Sequence, residues 1–401
     1  MRLTLKGRAA AGALLASAFA ALALGSPSFA VATLGIAAAF AFAAATLRAP
    51  ALLGLRELPR DRFVEGEAFE ERLTIRGRRS TRAILVPRGG AALAGPMSEI
   101  PFRLREGATT LTLGWRARVW GPSDLGPHAL AHRDVFGLFE RRVEIAPRID
   151  VRVRPVPASL GRHRASARNP EPALGAHSVA RPGDGMEFFA LREYRAGDSV
   201  RRINWKASAR AGETIVNQVT RESYARVVVF LDLRAKEDLG PAETSARARS
   251  GRAAAGILAH HERAKDHLTL VLVKEEARRA SLAANPRLGE LLDALGACAS
   301  GGAGLLEAAV RSHLGAIRRN SPVYFVTSGV ADPSLARALA VARDLGSNPT
   351  LVAPEPPLRA LQAGPELLAT RTRALERLRA EGFEIVDWKL GEDLEAALLA
   401  R

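Results

Sequence analysis

Two uncharged apolar runs, Ala9 to Gly25 and Phe29 to Leu47, open this sequence, and only Ser26-Pro27-Ser28 separates them. Each is close to the roughly 20 residues that cross a hydrocarbon core as a helix. Both are rich in alanine. Leu14, Leu15, Phe19 and Leu22 carry the hydrophobicity of the first, and Phe29, Leu34, Ile36, Phe40 and Phe42 that of the second. Two weak spans joined by a short turn favour a hairpin in which small residues pack against each other. The expectation is a transmembrane hairpin over residues 1–50, touching lipid through residues 9–47. Cations flank it and avoid its tip: Arg2, Lys6 and Arg8 precede it, and Arg48, Arg56, Arg60 and Arg62 follow. The positive-inside rule therefore puts both ends on the cytoplasmic side. A rival reading is a signal peptide cleaved near Ser28-Phe29-Ala30, which leaves the second run as a single anchor and the remainder outside.

Behind the hairpin, 58 Lys and Arg stand against 42 Asp and Glu, a net charge of +16. In a chain with membrane segments such an excess points to anionic headgroups more than to nucleic acid. An apolar fraction of 47% argues against wholesale disorder. The single cysteine, Cys298, excludes an internal disulfide and a cysteine zinc cluster. It lies in an apolar helical stretch and reads as a small buried residue.

Three further regions follow. Over 51–157, alternating segments such as Phe69 to Ile75 and Thr110 to Leu113 are punctuated by Gly and Pro, as in a small β-sandwich. Residues 158–225 form a linker and a distinctive segment. From 226 to 401 the period changes. Val227 to Leu231 is a continuous apolar run, as in a strand buried on both faces, and helical stretches then alternate with His267–Val273, Val323–Val326, Thr350–Val352 and Phe383–Val386. Such alternation implies an α/β domain with a parallel sheet and helices on both faces. His260 and His261 fall in the first of those helices and read as a solvated face.

The distinctive segment runs from Gly185 to Arg210. Gly197 permits a tight turn, and Asp198 suits the N-cap of a helix behind it. On that helix Arg201 and Trp205 stand four apart, as do Arg202 and Lys206, which sets a cation over an indole beside two more cations. The residues form either a face for an acidic partner or phosphate, or a brace between domains through Arg–carboxylate pairs with Glu193 or Asp198.

The run from Phe188-Phe189 through Arg210 resembles the signature of the family called domain of unknown function 58, F-x-x-L-R-E-Y-x-x-G-D-x-x-R-x-I-x-W-K-x-S-A-R. Asp134-Val135-Phe136-Gly137-Leu138-Phe139 is similar to its D-P-F-G-L-F element, with Val135 where proline is usual. The resemblance implies a bacterial or archaeal inner-membrane protein with a von Willebrand factor A-like domain, working beside a MoxR-type AAA+ ATPase. It also implies where a divalent cation would sit, with D-x-S-x-S after the first strand, a Thr from a later loop and a final Asp. In this chain those positions hold Asp232, Arg234, Lys236, Ala303 and Ser328. With one of five ligands kept and two replaced by cations, no metal or other cofactor is expected, and Arg234 or Lys236 would fill the place by pairing with Asp232.

Catalytic motifs give nothing firmer. Ser328-Gly329 lacks the G-x-S-x-G frame, His260 and His261 lack H-E-x-x-H spacing, and no phosphate loop occurs. The expectation is therefore a non-enzymatic, membrane-anchored interaction scaffold for assembly or maturation of membrane or envelope complexes. Its partner face would comprise Arg192, Tyr194, Asp198, Arg201, Arg202, Trp205 and Lys206. The alternatives are an anionic lipid or polyanion-binding module and a hydrolase.

Overall fold

Thr4 starts the first helix. Its hydroxyl accepts a hydrogen bond from the Gly7 amide at 2.9 Å and caps α1, Leu5–Leu24. Gly25 ends α1 at a φ of 60°, a left-handed conformation that favours glycine, and Pro27 opens α2, Pro27–Thr46. Both helices are long and apolar enough to cross a membrane. They pack as a hairpin, with the Thr33 hydroxyl donating to Ser17 Oγ at 3.0 Å.

The computed structural model describes residues 1–47, 53–78, 80–160, 182–220, 225–234, 240–357 and 364–399. They form two compact units, Met1–Arg154 and Pro155–Arg401. The first unit holds the hairpin and the β-region. One five-stranded antiparallel sheet contains Phe139–Ala146, His128–Arg133, Thr81–Val86 and Ile100–Leu104, with Arg2–Leu3 at its edge. A four-stranded sheet centres on Ala68–Gly77 and Gly107–Ala117, and a three-stranded mixed sheet centres on Ile149–Arg154. Along Ala68–Gly77 the alternation sends Phe69, Glu71, Leu73 and Ile75 inward.

Glu71 is a charge on an otherwise apolar face, and it is fully buried. Trp115 Nε1 donates to its Oε2 at 2.9 Å. His128 Nδ1 accepts from the Arg88 amide, so Nε2 carries the hydrogen and donates to the same oxygen at 3.0 Å. Arg56 Nε lies 2.5 Å from Oε1 in an ion pair outside hydrogen-bonding alignment. The Arg56 guanidinium also donates to the carbonyls of Leu125, Gly126 and Pro147.

The element Asp134–Phe139 clasps the hairpin. Asp134 accepts from the amides of Phe136 and Phe139, which fixes the loop, and the Leu138 carbonyl accepts from the Thr4 amide at 3.0 Å. The Thr4 hydroxyl donates to the Gly137 carbonyl at 2.6 Å. Phe139 meets Phe40 edge to face, and Phe136 meets Phe42. Gly7 is required here, because a Cβ would come within 2.0 Å of the Leu138 carbonyl oxygen.

The second unit begins with Pro155 to Leu160, which packs along α4, Ala246–Arg263, through the Ala158 amide and the Arg252 carbonyl. The compact boundary thus falls just before the expected linker. Of that linker, residues 161–181 lie outside the described residues. An antiparallel ribbon follows, β1 (Pro182–Glu193) and β2 (Ile215–Thr220). Next come β3 (Arg226–Asp232), β4 (His267–Val273), β5 (Ala277–Arg279), β6 (Pro322–Val326), β7 (Asn348–Pro354) and β8 (Glu384–Trp388).

These six strands make one sheet in the order β5-β4-β3-β6-β7-β8, parallel apart from the edge strand β5. Helices α6 (Leu306–Ser312), α7 (Pro333–Asp344) and α8 (Gly364–Ala380) cover the face shown by Val228, Phe230, Val323 and Phe325. On the opposite face α4 meets β6 through His261. This is the von Willebrand factor A-like α/β fold that the resemblance implied.

Two expectations are corrected. His261 is fully buried, not solvated: its ring bonds Asp266 at 2.7 Å and the Tyr324 hydroxyl at 3.0 Å. Cys298 lies just beyond α5, Leu288–Gly296, and is only half-buried; burial pushes its thiol pKa up.

Candidate functional site at the rim of the sheet

Counted from β3, the sheet order is 3-2-1-4-5-6, so the direction in which successive strands are added reverses between β3 and β6. Open α/β sheets bind ligands at that switch point, beyond the carboxyl ends of the strands. Here β3 ends at Asp232 and β6 runs out into Thr327 and Ser328. Asp232 is fully buried and accepts from the Thr327 hydroxyl at 2.8 Å.

Arg234 turns back over Asp232. Its Nε and Nη2 donate to the two carboxylate oxygens at 2.7 and 2.5 Å, a bidentate pair. Its Nη1 donates to the Gly304 carbonyl at 2.9 Å and to Asp332 Oδ2 at 2.7 Å. Burial alone would lower the Arg234 pKa, but hydrogen bonds and charge from Asp232 and Asp332 outweigh it and raise it. The guanidinium is a permanent cation held between two carboxylates.

The residues present do not fit a divalent metal. The space between Asp232 and Asp332 is taken by Arg234, and the Ala303 amide is spent on Glu275 at 2.7 Å. Ser328 lies in the wall of the adjoining cavity, and Lys236 lies outside the described residues. Among the described residues, no group of three or more His, Cys, Asp or Glu side chains is placed to hold a metal. Magnesium, manganese or EDTA is therefore expected to leave the melting temperature of the full chain unchanged. A stoichiometric, EDTA-reversible rise would contradict the clamp.

Asp332 is the residue that the motif comparison missed. It lies four positions beyond Ser328, and its other oxygen caps α7 by accepting from the Ser334 amide at 2.9 Å. Asp-Pro-Ser reads in sequence as a helix start. That role concealed its second one.

Beside the clamp opens a cavity of about 700 Å³. Its walls are largely apolar, with Leu305, Val330 and Leu367 among them, and Arg234, Asp332 and Arg371 supply charge. Arg371 Nη2 donates to the Ala353 carbonyl and to Asp387, while its buried Nε has no hydrogen-bond partner.

The residues of the distinctive segment lie apart from this rim cluster, on the ribbon. Arg192 and Asp198 form a bidentate pair with both contacts at 2.7 Å, and Asp198 also accepts from the Arg195 amide. The hydrogen bond from Arg192, then that from the Arg195 amide, lowers the Asp198 pKa to about 2. Asp198 is therefore a staple within the segment and not a helix cap. Only a 3-10 turn forms over Val200–Arg202, and α3 spans Trp205–Ala211 with Asn204 as its cap.

Ile203 interrupts the expected helix because it pairs as a bridge with Val216, and the Asn204 amide then donates to the Ile215 carbonyl. Arg201 and Trp205, and likewise Arg202 and Lys206, therefore do not share one helical face. Tyr194, Arg201, Trp205 and Lys206 are exposed, and Arg202 is half-buried.

Residues 190–346 match the model of the family described as "Protein of unknown function DUF58". Among solved structures, the SpRpn10 VWA domain aligns at 11% identity, covering 45% of this chain and 96% of that one, with a TM-score of 0.30. A segment of native alpha-2-macroglobulin from Escherichia coli, domain MG7 to the C-terminus, aligns at 15% identity over 28% of this chain, with a TM-score of 0.23. The chain spans only 20% of that fragment's length, and 8% of the longer Escherichia coli alpha-2-macroglobulin structure. No curated protein matches.

Proposed function

From a chain that carries the DUF58 family segment over residues 190–346, we propose a membrane-anchored protein-interaction scaffold whose partner docks at the carboxyl rim of the parallel sheet. One observation carries this reading: an open, largely apolar cavity lies beside a cation that no exchange with solvent can remove. Leu305 and Leu367, both about half exposed, border it and offer the apolar anchor that interface hot spots need. Among the described lining residues there is no histidine to activate Ser328 or Thr370, which favours recognition over catalysis.

The partner is a MoxR-type AAA+ ATPase, and the role is assembly or maturation of membrane or envelope complexes. Leu305→Asp with Leu367→Asp is expected to abolish capture of that ATPase while leaving the melting curve nearly unchanged, because exposed substitutions usually cost within about 0.5 kcal/mol. Undiminished capture by the folded double variant would reject the rim as the docking site.

By the positive-inside rule, the flanking cations support a cytoplasmic position for the folded units. A C-terminal alkaline phosphatase fusion, active only outside the inner membrane, is expected to stay silent. Strong activity would favour the cleaved, single-anchor alternative.

A further inference from the structure

Three of the four tryptophans, Trp115, Trp120 and Trp388, are buried, whereas Trp205 is 70% exposed. Val200 and Tyr194 on the excursion between β1 and β2 share that exposure at 66% and 39%, as does Leu191 near the end of β1 at 46%. An exposed group of aliphatic and aromatic side chains on a ribbon marks a contact surface.

The charge around it is mostly positive. Arg195, Arg201, Lys206 and Arg210 are exposed. Of the acids from Glu193 to Glu213, Asp198 is already neutralised by Arg192, and the exposed Glu193 and Glu213 stand at the two ends of the excursion, outside the run of five cations Arg195, Arg201, Arg202, Lys206 and Arg210. Indole and phenol rings flanked by guanidinium and ammonium groups suit the membrane–water boundary, where rings settle at headgroup depth and cations meet lipid phosphates. An acidic protein would satisfy the cations but would need a dedicated pocket for the indole. The same chain carries two helices able to cross a bilayer, so lipid is the surface at hand.

We propose that this excursion, with Trp205 at its centre, docks on the anionic face of the bilayer and holds the α/β unit to the membrane independently of any partner at the rim.

The test uses the full chain reconstituted into nanodiscs that contain acyl-brominated lipid, either with phosphatidylglycerol or with phosphatidylcholine alone. Because the other three tryptophans are buried, the fluorescence difference between wild type and Trp205→Phe reports Trp205. In phosphatidylglycerol discs that component is expected to be blue-shifted, quenched by bromine and shielded from aqueous iodide. High salt, or Arg201→Glu with Lys206→Glu, should abolish all three effects. Quenching that is equal in wild type and Trp205→Phe, or iodide access that is the same in both lipids, would overturn the proposal. So would shielding that arises only when soluble cell protein is added, since that would assign the surface to a protein.

Discussion

Arg234→Ala is expected to destabilise the α/β unit by roughly 3–5 kcal/mol, the usual cost of removing one partner from a buried ion pair. The loss does not measure the strength of the pair. It arises because Asp232, fully buried at the end of a central strand, loses its bidentate donor. Asp332 loses this contact too, and the Gly304 carbonyl loses its donation from Arg234. Arg234→Lys should recover only part of the stability, because an ammonium cannot reproduce the planar fork that reaches both oxygens of Asp232. In the alanine variant a dication gains a reason to bind, since the buried Asp232 carboxylate loses its bidentate cation. Magnesium is therefore expected to raise the melting temperature of the variant and not that of wild type. Chemical denaturation of both proteins, with and without magnesium, checks the whole pattern, and a wild-type-like Arg234→Ala would refute the clamp.

Glu71→Gln should cost a similar amount, roughly 3–5 kcal/mol, in the β-region. The amide keeps the shape of the side chain but leaves Arg56 buried without a counter-charge. It also weakens the acceptor shared by Trp115 and His128. Burial alone would raise the Glu71 pKa, yet hydrogen bonds from His128 and Trp115 and the charge of Arg56 outweigh it and hold the value below the usual carboxylate range. A group whose pKa is depressed on folding stabilises the fold above its unfolded value, and that stabilisation fades as pH falls toward the folded one. Wild type should therefore lose β-region stability on acidification below the ordinary glutamate range, whereas Glu71→Gln should lack that acid limb. Near-ultraviolet dichroism of Trp115 and Trp120 against denaturant, repeated across pH, reports it. Identical acid limbs in both proteins would show that Glu71 is not the group responsible.

Much of this was legible in the chain. The continuous run Val227 to Leu231 announced a strand buried on both faces because no polar residue interrupts it. The alternation around Phe69 to Ile75 already aimed Glu71 inward, so a buried glutamate was readable before its partners were known. Asp232 and Arg234 were placed by motif position, and their two-residue spacing allows the turn that joins them.

The misses have physical causes. His261 falls on the buried stripe of α4 with Ser250, Ala254, Ile257 and Leu258, a helical period that weighed less than the polarity of histidine. The helix expected from Asp198 onward failed at Ile203, because a bridge to Val216, distant in sequence, overrode local propensity. The third contact of the clamp depends on where the loop after β6 turns, which no motif spacing encodes.

The grip of Asp134–Phe139 on the base of the hairpin changes what anchoring means here. A flexible leash would let the β-region swivel freely above the bilayer. Backbone hydrogen bonding at Thr4, ring contacts from Phe40 and Phe42, and a glycine with no room for a methyl group make a bolted mount instead. In a bilayer thinner than the hairpin, two helices tilt to keep their apolar length covered. Were the hairpin to span such a bilayer, this mount would make the β-region lean with it, and membrane thickness would set its posture.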